Sequence, residues 1–258
     1  MEKIIFFGNG PLANYALEVL WGSFEVVFHA RTREDLEKAC EIKRENPEIH
    51  GVLASFGVLI PTSVLEVFEP EGILNIHPSL LPAYRGASPI ESAILAGDSD
   101  FSVSVMKLVK AMDAGPIYHQ ETLTGLPFNK DEIYRALAEA GAKWLCDNLT
   151  NLPEPTLQDD KKATFCGKLD KSMSRLTPET DTAEQTLRKI VAFQVYPKPK
   201  YAFYGQNCII LDAHMLKSGE KADLELPCAD GQILAIDRLQ PEGRKAMDAK
   251  AFLNGYRK

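Results

Sequence analysis

Over its first 150 residues the chain alternates short apolar runs with helical stretches, and beyond about residue 165 that alternation gives way to closely spaced strands. Lys3–Phe7 is an apolar run closed by Gly8-Asn9-Gly10, after which Leu12, Tyr15, Ala16, Val19 and Leu20 fall on one helical face. Further strands are expected at Glu25–Ala30, Ile49–Phe56, Gly72–Ile76 and Phe101–Met106. Helices are expected between them, at 34–46 and 61–68 and from Ser88 onward. There Ser88 is the N-cap, Pro89 takes the first position, Glu91 lies three residues past the cap, and Gly97 stops the run. Asn129 and Glu132 open another helix, with Ile133, Leu137, Trp144 and Leu145 facing inward. Such alternation predicts a mostly parallel α/β sheet over residues 1–150.

Residues 151–164 are Pro-rich and then charged, which reads as a linker. Past it, one helix near Thr182–Phe193 precedes strands at Lys200–Tyr204, Asn207–Leu216, Ala222–Pro227 and Gln232–Leu239, with turns at Gly205-Gln206 and Asp230-Gly231. Residues 165–258 are therefore expected to form a separate small β domain of barrel type.

At 258 residues, 45% apolar and 25% charged, the composition is that of a water-soluble globular protein. No long apolar run predicts a transmembrane helix, and the N-terminus lacks a signal-peptide core, so no membrane partner is expected. Cys40, Cys146, Cys166, Cys208 and Cys228 are odd in number and widely spaced, which argues for a reducing cytoplasm and against a zinc site or disulfide framework. His29, His50, His119 and His214 lack ligand spacing, so no metal is expected. Gly8-Asn9-Gly10 is half a dinucleotide fingerprint, but no third glycine follows and no acidic residue closes the second strand; a tight strand–helix turn is the better reading. The net charge of −7 is uneven: residues 166–258 hold 15 Lys/Arg against 12 Asp/Glu, net +3, and residues 1–165 are net −10. Lys198, Lys200, Lys217, Lys221, Arg244 and Lys245 read equally as a patch for a polyanion or as a solvated face.

The chemistry concentrates in Asn75-Ile-His-Pro-Ser-Leu-Leu-Pro-Ala-Tyr-Arg-Gly86, where an apolar run enters a Pro-rich loop. Residues two apart on a strand share a face, and Pro78 holds His77 extended, so Asn75 and His77 can look into one pocket. Moving a one-carbon acyl group to an amine puts negative charge on the carbonyl oxygen, which an amide and an imidazole can stabilise. Asp113, in Met112-Asp-Ala-Gly115, can take the amine's proton and set the state of His77. Both loops follow strands, which places them together outside the carboxyl ends of the sheet. Taken alone, the same three residues also read as a turn asparagine, a structural histidine and a turn-capping aspartate.

Asn75-x-His77-Pro-Ser-Leu-Leu-Pro82 with Arg85-Gly86, and Asp113-Ala-Gly115 downstream, resembles the 10-formyltetrahydrofolate-dependent formyltransferases. Gly86-Ala-Ser-Pro-Ile90, Gln158–Thr164 leading to Phe165-Cys-Gly-Lys-Leu169, and Gln240–Met247 before Phe252–Gly255 favour the methionyl-tRNA branch. The resemblance runs nearly end to end. It implies a Rossmann-like N-terminal domain and a small OB-like C-terminal β-barrel. It further implies Asn75, His77 and Asp113 as the catalytic trio, and Ser79, Leu80, Leu81 and Pro82 as the loop that contacts 10-formyltetrahydrofolate. Initiator methionyl-tRNA is the implied partner of a monomer, held by the C-terminal domain and by residues near Arg31 and Arg33. The chain departs from the family pattern after the second strand, where a long basic loop is usual and Ala30-Arg-Thr-Arg33 runs straight into a helix. A small amine acceptor such as an amino-sugar nucleotide is therefore a second expectation, and a non-catalytic RNA- or folate-binding protein a third.

Overall fold

A computed structural model describes residues 1–256 as two compact units, residues 1–90 with 99–167 and residues 91–98 with those from 168 to 256. In chain order the elements are β1 (Glu2–Gly8), α1 (Pro11–Leu20), β2 (Phe24–Ala30), α2 (Asp35–Glu45), β3 (His50–Ala54), α3 (Thr62–Val67), β4 (Ile73–His77), β5 (Arg85–Gly86), α4 (Pro89–Ala96), β6 (Phe101–Lys107), β7 (Ile117–Leu123) and α5 (Lys130–Asn148). They continue with β8 (Phe165–Cys166), α6 (Ala183–Ala192), β9 (Lys200–Phe203), β10 (Gln206–Met215), β11 (Glu225–Pro227), β12 (Ile233–Pro241), β13 (Met247–Asp248) and α7 (Ala249–Tyr256).

The first unit is built on a six-stranded sheet of order β2-β1-β3-β4-β6-β7. The β2–β1, β1–β3 and β3–β4 pairings are parallel, and the β4–β6 and β6–β7 pairings are antiparallel. Central strands are covered on both faces, which is why β1 carries an unbroken apolar run, Ile4–Phe7, and why all five residues of β4 are buried, Asn75 and His77 included. On one face Ile5, Phe7, Leu53, Phe56, Phe68 and Ile73 form a closed cluster under α2 and α3. Helix α5 starts where the sequence places it: the Asn129 side chain accepts the backbone N–H groups of Asp131 and Glu132, satisfying two donors the helix cannot bond internally. Trp144, expected inward, is half-buried and stacks on His119 of β7 at 5.1 Å between ring centroids.

Residues 151–164, read from sequence as a linker, run along the first unit. Ile117 and Thr156 exchange two backbone hydrogen bonds of 2.8 Å, the Thr164 N–H donates to the Pro82 carbonyl, and β8 pairs with β5.

The second unit contains a five-stranded antiparallel sheet in which β12 pairs with β10, β11 and β13, and β10 with β9. Helix α6 is opened by a capping box between Thr182 and Gln185. The core gathers Leu176, Ile190, Ile210, Leu226, Leu234, Ile236, Leu239 and Phe252. Helix α7, absent from the sequence-based assignment, contributes Phe252, which is fully buried. Among the described residues, no helix is long and apolar enough to cross a membrane.

Candidate active site

Asn75 and His77 lie on β4 between β3 and β6, each about 4% exposed. Their spacing of two places both on one face of the strand. The His77 ring makes two polar contacts among the described residues. Its Nε2 lies 3.1 Å from the Tyr84 carbonyl oxygen and its Nδ1 lies 3.8 Å from Asp113 Oδ1, within ion-pair range and beyond a hydrogen bond. A carbonyl can only accept, so Nε2 carries the hydrogen and the neutral ring turns its Nδ1 lone pair toward Asp113. Burial pushes the His77 pKa below its ordinary value of 6.5, against the opposing pulls of the Asp113 carboxylate and the Tyr84 carbonyl. The resting imidazole is therefore neutral at pH 7.

The Asn75 amide differs from other polar groups in this core. No group hydrogen-bonds it among the described residues, yet no enclosed side-chain nitrogen or oxygen lacks a partner. The amide's nitrogen and oxygen are therefore not fully enclosed, although the residue is about 4% exposed. It is a donor held in place by the sheet and left free to meet something else.

Asp113 arrives by a different path from the one expected. Strand β6 runs antiparallel to β4, with His77 opposite Ser104 and Leu74 opposite Lys107. The loop of residues 108–116 thus leaves beside the start of β4, not beyond its carboxyl end, and doubles back to reach His77. Strand–helix alternation identifies an element and is silent on its direction, which is why the sequence pointed to the other edge. The return is tight. Asp113 adopts a left-handed backbone, φ 50°. Gly115 backs onto β6 so closely that a Cβ there would sit 1.8 Å from the Lys107 carbonyl oxygen. Gly115→Ala is accordingly expected to lower stability by about 3 kcal/mol, read from the midpoint of chemical unfolding, because the neighbour is backbone and cannot give way.

Three further residues complete the surroundings of Asp113. Its Oδ2 accepts the Gly86 N–H at 2.8 Å. Gln158 Nε2 donates to the carbonyl oxygens of Asp113 and Gly115, at 2.8 and 2.7 Å. Arg85, buried to 4% exposure, donates to Gln158 Oε1 from Nε and Nη2 and to Asp160 Oδ1 from Nη2.

The loop proposed from sequence to meet the folate divides its residues between two tasks. Ser79 turns inward, its Oγ donating to the Ala83 carbonyl, while its own carbonyl accepts from Ser104 Oγ. Leu81 is buried against Met106 and Ile117, and its carbonyl accepts from Gln120 Nε2. Pro82 follows a cis peptide bond, and its carbonyl accepts from Thr164. Leu80 presents its side chain outward, about half exposed. Ser104 and Gln120 were not singled out in the sequence. In the sequence Ser104 is only one of the residues that alternate with Phe101, Val103 and Val105; its full burial and its place across from His77 are set by the pairing of β6 with β4.

Arg31 and Arg33 sit on the connection from β2 to α2, which Asp35 closes by accepting from the backbone N–H groups of Arg31 and Thr32 at 2.7 and 2.8 Å. β2 is the edge strand, three pairings from β4, a span of roughly 14 Å across the sheet. The structure brings Asn75, His77 and Asp113 together and leaves both arginines outside that cluster. Among the described residues no group of three or more His, Cys, Asp or Glu side chains is arranged to hold a metal ion.

Residues 12–149 match the formyl transferase family and residues 168–257 match the formyl transferase C-terminal domain. A methionyl-tRNA formyltransferase of Dehalococcoides mccartyi is 36% identical over 221 residues, which cover 80% of this chain and 70% of that protein. Among solved structures, HypX from Aquifex aeolicus superposes with a TM-score of 0.76 at 19% identity over 99% of this chain, which spans about half (49%) of HypX. Methionyl-tRNA formyltransferase from Clostridium thermocellum superposes with a TM-score of 0.64 at 17% identity, over 96% of this chain and 99% of that one. At those identities the two structures speak to the fold alone, and both share it. By the match of its N-terminal half and by the sequence identity of its relatives, the chain belongs to the formyl transferase family.

Proposed function

We propose that this chain transfers the formyl group of 10-formyltetrahydrofolate to the amino group of methionyl-tRNA. The observation that carries the proposal is the solvent-touching amide of Asn75, unpartnered among the described residues, on the strand face it shares with a buried His77 that lies against the half-buried Asp113. The formyl donor, a substrate, supplies the carbonyl carbon and the nitrogen that leaves. Asn75 donates to the carbonyl oxygen as negative charge develops there. The attacking amine forms the new C–N bond and loses its proton to His77 Nδ1, the one ring nitrogen not engaged by Tyr84. Asp113, 3.8 Å away, stabilises the imidazolium so formed. In that state Nδ1–H can share the oxyanion with Asn75 and then pass its proton to the departing nitrogen, which closes the proton balance. The loop of Ser79, Leu80, Leu81 and Pro82 would hold the donor, with Leu80 offering the apolar contact.

The acceptor follows from the curated relatives, which are named methionyl-tRNA formyltransferases. The tRNA would be held by the second unit, which contains the net-positive C-terminal segment of the chain, together with Arg31 and Arg33, on a monomer in the cytoplasm. The short β2–α2 connection favours a second reading, a small amine such as an amino-sugar nucleotide. One competition separates them: charged initiator tRNA and a nucleotide-linked amino sugar offered together with one formyl donor. Formyl label is expected on the tRNA; label on the sugar alone would replace the first reading with the second.

A further inference from the structure

The side-chain amide of Gln158 has its whole hydrogen-bonding capacity committed. Both of its N–H groups go to carbonyls of the Asp113 loop, and its oxygen takes two donations from Arg85. This fixes which way the amide faces, since a guanidinium only donates and a carbonyl only accepts. Among neutral side chains only a carboxamide has the donors and acceptor for all four contacts, and asparagine is one methylene shorter. A leucine would strand two carbonyls and a buried guanidinium, and a glutamate would set a carboxylate against two carbonyl oxygens. The clamp is anchored at both ends. Two residues before it, Thr156 is hydrogen-bonded to Ile117 at the start of β7. Arg85 immediately precedes Gly86, whose N–H holds the Asp113 carboxylate.

We infer that Gln158 is a positioning residue for the transfer reaction: with Arg85 it holds the 113–115 backbone where the Asp113 carboxylate faces His77. The inference rests on the reading of Asp113 as the group that stabilises protonated His77. Without the two Gln158 bonds the Asp113 carboxylate keeps only its Gly86 hydrogen bond, and a loop with a left-handed aspartate would swing it off the imidazole; displacements of about 1 Å in such sites cost up to about 10²-fold in rate.

The test uses the full chain as wild type, Q158L, Q158E, D113N and Q158L/D113N, assayed with 10-formyltetrahydrofolate and charged initiator tRNA. His77 is titrated in each by NMR. Q158L and Q158E are expected to lower kcat by about 10²-fold, with the KM for the formyl donor within about threefold of wild type. The His77 titration is expected to move to lower pH, in the same direction as in D113N, because the carboxylate that raises it has moved away. In the D113N background Q158L is expected to add less than about threefold, since the residue it positions is already gone. Equal losses in both backgrounds, or an unmoved His77 titration in a folded Q158 variant, would overturn the inference. Two variants keep it testable if one fails to fold. Should D113N itself retain wild-type turnover, the reading of Asp113 fails, and the His77 titration in Q158L still decides whether Gln158 sets the geometry.

Discussion

Asn75→Ala is expected to lower kcat by about 10²–10³-fold while shifting the unfolding free energy by no more than ~1 kcal/mol. The two halves of that expectation come from one fact. Most polar side chains in this core are tied to protein groups: Ser104 to the Ser79 carbonyl, Arg85 to Gln158 and Asp160. Truncating any of those orphans a buried partner and costs stability. The Asn75 amide bonds nothing among the described residues, so its removal orphans nothing in the resting protein. What it removes is a donor fixed at a central strand, with no reorganisation needed when charge appears on the substrate oxygen. Steady-state turnover with saturating formyl donor, beside an unfolding titration of the same preparation, reads both quantities. Near-normal turnover would move the oxyanion donor elsewhere; a large stability loss would make Asn75 a structural residue. Asn75→Asp gives an independent check, since an ionised carboxylate accepts only and is expected to be at least as slow as alanine.

How far the sequence announced this arrangement depends on whether the signal was local. β4 was legible because its apolar run ends in His77-Pro78, and proline keeps the preceding residue extended. The starts of α5 and α6 were legible because an N-cap is written within three residues of what it caps. β7 was not, since an edge strand reading Ile-Tyr-His-Gln-Glu-Thr-Leu is buried mainly at its first residue and carries no apolar alternation. The antiparallel sense of β6 was not, because the period of a strand is the same in either direction. Asn75 and His77 identified themselves as neighbours on one strand, whereas the Gln158 clamp joins residues 45 and 73 apart in the chain. It was written as one polar residue in a Pro-rich, charged stretch that looked like a tether. Contacts of that kind are specified by tertiary register, here the Ile117–Thr156 pairing and the β5–β8 pairing, and no local pattern reports them.

Asp113→Asn is expected to cost about 10²–10⁴-fold in turnover and to change the pH dependence in a direction that other losses would not. Asparagine is the informative substitution because its side-chain oxygen can still accept the Gly86 N–H, so the loop keeps its anchor while the charge goes. In the native protein the His77 pKa lies below 6.5 because burial outweighs the Asp113 carboxylate and the Tyr84 carbonyl. Deleting the carboxylate removes one of the two influences that raise it, so the titration moves further down, and the acid limb of the residual kcat profile moves down with it. The same displacement has a consequence for stability. A histidine that titrates lower in the folded chain than in the unfolded one stabilises fully above 6.5, and that contribution is lost as the pH falls through the folded value. With the carboxylate gone the window widens at its acid end, so D113N should match wild type in unfolding free energy near pH 7.5 and fall progressively below it as the solution is acidified. An acid limb that stays in place in D113N would mean that His77 does not feel Asp113 across their 3.8 Å, and that the proton of the attacking amine leaves by another route.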